Sequence, residues 1–132
     1  GAFKAALLRP QNYFAAASFS GVLSLAIMTA IPNDPRQTEF EYLFGDLKKL
    51  PGGEHDPAVW LQQAVKIKEQ LPKLFIACGR QDDLFPLNQM VNQQIKALGL
   101  EVDYHEEDGR HDWPFWNRQI HRFVSSLLEP VD

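Results

Sequence analysis

Two polar loops of this 132-residue sequence carry residue types that suit acid–base chemistry. The first is the stretch 78–86, Cys-Gly-Arg-Gln-Asp-Asp-Leu-Phe-Pro, which follows an apolar run. Its glycine permits a sharp turn, so that Asp82 would stand at the end of a buried strand. A carboxylate there can reach a histidine on a neighbouring loop and hold its tautomer. Aspartates are also common in solvated turns, so a purely structural turn stays open, and Asp83 is the alternative acid.

The second loop is the stretch 109–113, Gly-Arg-His-Asp-Trp. Its His111 could act as a general base, while Asp112 would cap a helix that follows. A single loop histidine is more often structural or simply exposed. Asp82 and His111 together are a stronger signal than either alone, because they follow consecutive predicted strands and would meet at one edge of a sheet.

The elements that position these loops alternate between helix and strand. Strands separated by helices predict an α/β fold with a parallel sheet, right-handed crossovers and helices on both faces. Ligands of such sheets bind beyond the carboxyl ends of the strands, where both loops would lie. The predicted elements are a helix over 1–8, a strand over 13–19, an excursion over 23–57 with a short helix at 39–44, a helix from Pro57 to Leu71, a strand over 73–78, a helix over 86–98 capped by Gly99, an outer strand over 100–106 and a last helix from Trp113.

Apolar spacing predicts which helix faces are buried. After the N-cap Asp56, the helix from Pro57 would bury one stripe. In the last helix, a second set of apolar residues would share one side. The two sets are Trp60, Ala64, Ile67 and Leu71, and Trp116, Ile120, Phe123, Val124 and Leu127.

Three stretches resemble the esterase D-like α/β-hydrolases, a family that includes S-formylglutathione hydrolases, tributyrin-type esterases and feruloyl esterases. They are the strand 14–21, the Gly-x-x-Asp-x-x-x-Pro pattern at 79–86 and the Gly-x-His-x-Trp-x-x-Trp pattern at 109–116. The resemblance implies that residues 1–132 are the C-terminal segment of a single α/β-hydrolase domain. It also implies a Ser-His-Asp triad with Asp82 as acid and His111 as base, and it favours Asp82 over Asp83. Trp113 and Trp116 would pack to fix the His111 loop.

The family's nucleophile is absent from this sequence. The resemblance implies that a Gly-x-Ser-x-Gly elbow precedes the opening helix, with its serine a few residues before Gly1. No serine here has glycines two positions on either side; the serines are Ser18, Ser20, Ser24, Ser125 and Ser126.

The parent protein is therefore expected to hydrolyse a small acyl ester or thioester through an acyl-enzyme, without metal or organic cofactor. The segment alone is expected to be inactive. The excursion over 23–57 would determine substrate specificity. Two alternatives stay open: a non-catalytic α/β interaction module, and an acyltransferase of the same fold.

Composition narrows the partners and the compartment. A formal net charge of -4 with no basic block argues against nucleic acid. No run approaches the ~18 apolar residues of a membrane span, so no membrane partner is expected. Cys78 lies in an apolar run and should pack as a small buried hydrophobe; we expect a cytoplasmic protein. None of His55, His105 and His121 has a second metal ligand at a recognisable spacing, so no metal is predicted.

The strand over 13–19 predicts association. The family's strand order implies that this strand lies beside the strand that leads into the elbow. Without that neighbour, its backbone groups would form an open edge that can pair with another chain. The sequence therefore predicts self-association or pairing with an N-terminal portion.

Overall fold

The computed structural model describes residues 1–129 and shows strands alternating with helices. The described residues form one parallel sheet in the order β1-β2-β3, which confirms the predicted α/β class. Short 3₁₀ turns lie at Pro10–Asn12, Leu47–Lys49 and Lys68–Gln70. The helices and strands are α1 Ala2–Leu8, β1 Ala15–Phe19, α2 Leu25–Thr29, α3 Gln37–Phe44, α4 Pro57–Val65, β2 Lys73–Gly79, α5 Phe85–Ala97, β3 Asp103–Glu107 and α6 Trp113–Leu128.

The central strand β2 is buried from Leu74 onward, because helices cover both faces of the sheet. Leu74 and Ile76 face a core cluster that α1, α4 and α5 complete. On the opposite face, Phe75 and Ala77 pack against Phe115 of α6. Burying each large apolar side chain stabilises the fold by roughly 1.5–3 kcal/mol. Helices on both faces of the sheet are thus confirmed.

Two predicted helix starts are confirmed by their caps. Asp56 accepts a hydrogen bond from the backbone N–H of Ala58 at 2.9 Å, and Asp112 accepts one from Phe115 at 3.1 Å. Both side chains satisfy backbone donors that a helix start leaves unpaired. Asp112 thereby fixes the first turn of α6 directly after His111.

Two elements differ from their predicted bounds by three residues or more. The predicted helix to Leu71 is wrong in its last turns, since α4 ends at Val65. Leu71 is extended (φ -70°, ψ 142°), as expected for the residue before a proline. The outer strand begins at Asp103 rather than Leu100, because the N–H of Leu100 bonds back to Ile95 in the C-terminal turn of α5.

The face of α6 that is buried against the sheet differs in part from the face predicted by its apolar spacing. Phe115 and Gln119 are fully buried against the sheet, whereas Ile120 and Val124 stay 37% and 46% exposed. A Cβ at Gly109 would lie 2.4 Å from the Phe115 ring. The missing side chain of Gly109 therefore makes room for Phe115 and sets which face of α6 is buried.

The edge of β1 away from β2 has no paired strand among residues 1–129. Phe14 accepts from the N–H of Lys73, and Ser20 donates to Ala77. Backbone groups alternate in direction along a strand, so those of Ala15, Ala17 and Phe19 point to the open edge.

We expect the isolated chain to associate through this edge. Burial of apolar surface is worth ~25 cal/mol per Å², and the adjoining Phe14 side chain is 68% exposed. Sedimentation at micromolar concentration should show a dimer, a larger assembly or a complex with an added N-terminal portion. A well-folded monomer would contradict the expectation.

Candidate active site

Asp82 lies in the tight turn between β2 and α5, at the carboxyl end of the central strand. Its N–H donates to the carbonyl of Gly79 at 3.1 Å, and its carbonyl accepts from Phe85 at 3.0 Å. Its Oδ1 accepts from the N–H of Leu84 at 2.9 Å. The side chain is 1% exposed. One carboxylate oxygen therefore braces the turn, and the other is free to hold a neighbour.

That neighbour is His111, whose Nδ1 lies 2.9 Å from Asp82 Oδ2. The predicted contact is confirmed, and Asp83 is exposed. An ionised carboxylate only accepts, so Nδ1 of a neutral ring carries the proton and Nε2 the lone pair. Among residues 1–129 no group hydrogen-bonds Nε2, and the His111 side chain is 53% exposed. Asp82 therefore holds the ring through Nδ1, and Nε2 remains available to accept a proton.

Gln81 joins the loop that carries Asp82 to the loop that carries His111. Its N–H donates to the carbonyl of Gly109 at 3.0 Å, and its Oε1 accepts from the N–H of Gly109 at 2.7 Å. A Cβ at Gly79 would lie 2.2 Å from the Gly109 oxygen, so this close approach requires a glycine. The sequence indicated the turn at Gly79 but not this connection two residues before His111.

Trp116 packs against the other side of His111. The rings meet edge to face with centroids 4.9 Å apart, and the Trp116 indole donates to Ser20 Oγ at 3.2 Å. Trp113 touches Trp116 at 5.3 Å but is 70% exposed. Trp116 alone therefore makes the direct contact expected of both tryptophans. Ser20 has a positive φ of 53° at the end of β1, which suits the predicted turn.

Asn88 connects the segment just after β1 to the loop that carries Asp82. The sequence did not reveal this role. Asn88 is fully buried, and its Nδ2 donates to the carbonyls of Gly21 at 3.1 Å and Leu84 at 3.0 Å. The one indication in the sequence was that Asn88 lies on the same helix face as Val91 and Ile95, which are buried. A polar residue on an apolar stripe often marks such a connection.

Glu107 anchors the strand that leads to His111. It accepts hydrogen bonds from Arg122 at 3.0 Å, Arg118 and Gln119. Burial alone would raise the pKa of Glu107, but the hydrogen bonds and charges of Arg122 and Arg118 outweigh it and lower the pKa. The ionised carboxylate thus joins the end of β3 to α6 on both sides of the histidine loop.

Cys78 is buried, as predicted. Burial, assisted by the charge of Asp82, raises the pKa of Cys78 to about 12. The thiol therefore stays protonated near neutral pH and is a poor nucleophile. Across residues 1–129 no three potential metal ligands come together; that the protein uses no metal stays a prediction.

The chain is similar to known esterases and serine hydrolases. No family model matches the sequence. The chain is 33% identical over 125 residues to an acetyl esterase of Caldicellulosiruptor saccharolyticus, covering 91% of this chain and 47% of the relative. It superposes with a TM-score of 0.84 and 27% identity on fluorophosphonate-binding serine hydrolase F of Staphylococcus aureus, covering 98% of this chain and 50% of that one.

The S-formylglutathione hydrolase FrmB of Staphylococcus aureus gives a TM-score of 0.82 at 28% identity, with the same coverage. The described residues match the C-terminal part of an α/β-hydrolase fold. A ferulic acid esterase, 16% identical with a TM-score of 0.67 over 92% of this chain and 43% of its own, supports the fold alone. The chain spans about half the length of the relatives that it matches.

Within residues 1–129, the carboxyl ends of all three strands converge on the loop that carries His111. Ser20 after β1 binds Trp116, Asp82 after β2 binds His111, and the loop after β3 carries His111 itself. Helices of residues 1–129 are too short or too polar to cross a membrane.

Proposed function

We propose that this chain supplies the acid and the base of a Ser-His-Asp triad that hydrolyses carboxylic esters or thioesters. The nucleophilic serine would come from a segment before Gly1, and we call the two together the completed enzyme. The observation that carries the proposal is the 2.9 Å contact between buried Asp82 and the half-exposed ring of His111.

The chemistry follows from the two ring nitrogens of His111. Nε2 takes the serine proton as the serine oxygen bonds to the acyl carbon, and returns it to the leaving alcohol or thiol as the C–O or C–S bond breaks. Water then attacks the acyl-enzyme by the same route, releasing the acid and the serine. Asp82 orients the ring and stabilises the imidazolium without taking its proton.

Two alternatives make different demands on this site. A non-catalytic interaction module needs no buried carboxylate aimed at an exposed histidine ring, so the Asp82–His111 contact favours an enzyme. An acyltransferase would use the same triad but deliver the acyl group to an alcohol. Product analysis with an added alcohol separates the two, because a hydrolase releases mainly the free acid.

The purified 132-residue chain should not hydrolyse 4-nitrophenyl acetate above background, because the proposal places the nucleophile outside it. The completed enzyme should do so under the same conditions. The control is His111→Ala in the short chain: activity that survives the change would indicate contamination. Activity of the short chain that His111→Ala abolishes would contradict the division of the triad.

A further inference from the structure

A cavity of about 420 Å³ lies between α1, α4 and the excursion that follows β1. Its walls are mainly apolar, with Phe3, Leu7, Leu61 and Ile95 among them. Small-molecule sites typically have volumes of ~300–1,000 Å³ and apolar walls with a few placed polar groups. The cavity therefore has the size and the lining of a site for part of a substrate.

The cavity reaches the same edge of the sheet as His111. Gly21 follows the end of β1 and lines it, as do Gly1 and Pro57, which stand at the starts of α1 and α4. A crossover helix runs back along the sheet, so its first residue lies near the carboxyl ends of the strands. In the completed enzyme the serine would lie a few residues before Gly1, which brings this cavity close to the reacting ester.

Lys4 brings a positive charge to the cavity wall. It is half-buried, with its ammonium 5.4 Å from the centroid of the Trp60 ring and 3.3 Å from His55 Nδ1. Within residues 1–129, no carboxylate pairs with Lys4 within 4.0 Å. An ammonium has three donors, and among residues 1–129 only the bond to His55 uses one of them. Two donors remain for a ligand.

His55 holds Lys4 in this position rather than neutralising it. Because His55 Nδ1 accepts from the ammonium, Nε2 carries the ring proton and faces Glu54 at 3.6 Å. The Glu54 side chain is 85% exposed, and interactions of such a solvent-exposed charge are weak. Phe44 packs against the imidazole with ring centroids 5.5 Å apart.

We propose that this cavity receives one arm of the ester and that Lys4 binds a carboxylate on that arm. The inference rests on the proposed hydrolase function, which supplies the ester. Lys4 is then a specificity-determining residue: it favours esters with an anionic acyl or alcohol part over neutral esters of the same shape.

The test compares two pairs of esters on the completed enzyme. For the acyl arm, the pair is mono-4-nitrophenyl fumarate and its methyl ester, because the trans double bond keeps the carboxylate from attacking its own ester. For the alcohol arm, the pair is 4-acetoxybenzoate and its methyl ester. A charge-assisted hydrogen bond should favour the charged member of one pair by about ten- to hundredfold in kcat/KM. The pair that shows the preference identifies the arm. Lys4→Met should bring the ratio near one, Lys4→Arg should retain most of it, and the exposed control Lys66→Met should leave it unchanged.

Two results overturn the inference while the hydrolase function stands. One is hydrolysis without preference in both pairs; the other is a preference that Lys4→Met leaves intact. If no ester is hydrolysed, the proposed function fails, and equilibrium titration with monomethyl succinate and 4-hydroxybenzoate decides the inference alone. Saturable binding of either anion that Lys4→Met weakens at least tenfold supports it. Absence of such binding overturns it.

Discussion

Replacing His111 by alanine in the completed enzyme should lower kcat for 4-nitrophenyl acetate by several orders of magnitude. Without the base, only the ~10³ to 10⁴-fold catalysis over water that binding and oxyanion stabilisation supply would remain. Folding should change little, because the His111 side chain is 53% exposed and its removal would let water reach the Asp82 carboxylate. Asp82 Oδ1 would keep its hydrogen bond from the N–H of Leu84. Steady-state kinetics and thermal unfolding measure the two effects separately.

The matched control for this change is His121→Ala. His121 is also a histidine, it is exposed, and it lies on α6 ten residues further along the chain. Its replacement should leave kcat within the error of the wild-type value. Retention of activity by His111→Ala, or an equal loss in both variants, would remove His111 from the mechanism.

Asp82→Asn should have the second largest effect, a fall in kcat of about 10⁴-fold, as such a change has in a serine protease triad. The new amide keeps an oxygen that can accept from the N–H of Leu84, so the turn should persist. Its NH₂ group can donate to His111 Nδ1, which favours the tautomer with the proton on Nε2. That ring cannot accept the serine proton.

Asp83→Asn is the control for the acid, since it changes the adjacent and exposed carboxylate. Its kcat should stay within a few-fold of the wild-type value, while thermal unfolding shows that both variants fold. If Asp83→Asn is the inactive variant, the acid has been assigned to the wrong residue.

The main elements were predictable because each depends on a local pattern, and the Asp82–His111 contact was predictable from the geometry of a parallel sheet together with the family resemblance. An apolar run such as 74–78 indicates a buried strand, and a parallel sheet brings the loops that follow its strands to one edge. Asp56 and Asp112 marked helix starts by their capping chemistry. The resemblance to the esterase D-like pattern, in which the carboxylate comes three residues after the glycine, then favoured Asp82 over Asp83.

Other features depend on contacts between distant residues, which local patterns do not encode. The connection between Gln81 and Gly109 joins loops 28 residues apart, and Asn88 reaches Gly21 across 67 residues. The burial of Phe115 in place of Ile120 follows from the space left at Gly109. The short helix α2, Leu25–Thr29, was not predicted. The prolines and glycines of the stretch 23–57 indicated loops more strongly than the apolar residues of α2 indicated a helix.

The most direct test of the account is covalent labelling of the completed enzyme with a fluorophosphonate, followed by mass spectrometry. We expect one adduct, on a serine before Gly1, because the pair Asp82–His111 activates that hydroxyl. Labelling of His111→Ala should be slower by about 10² to 10⁴-fold, the usual contribution of a general base. An adduct on any serine of residues 1–132, or an unchanged labelling rate in His111→Ala, would contradict the account.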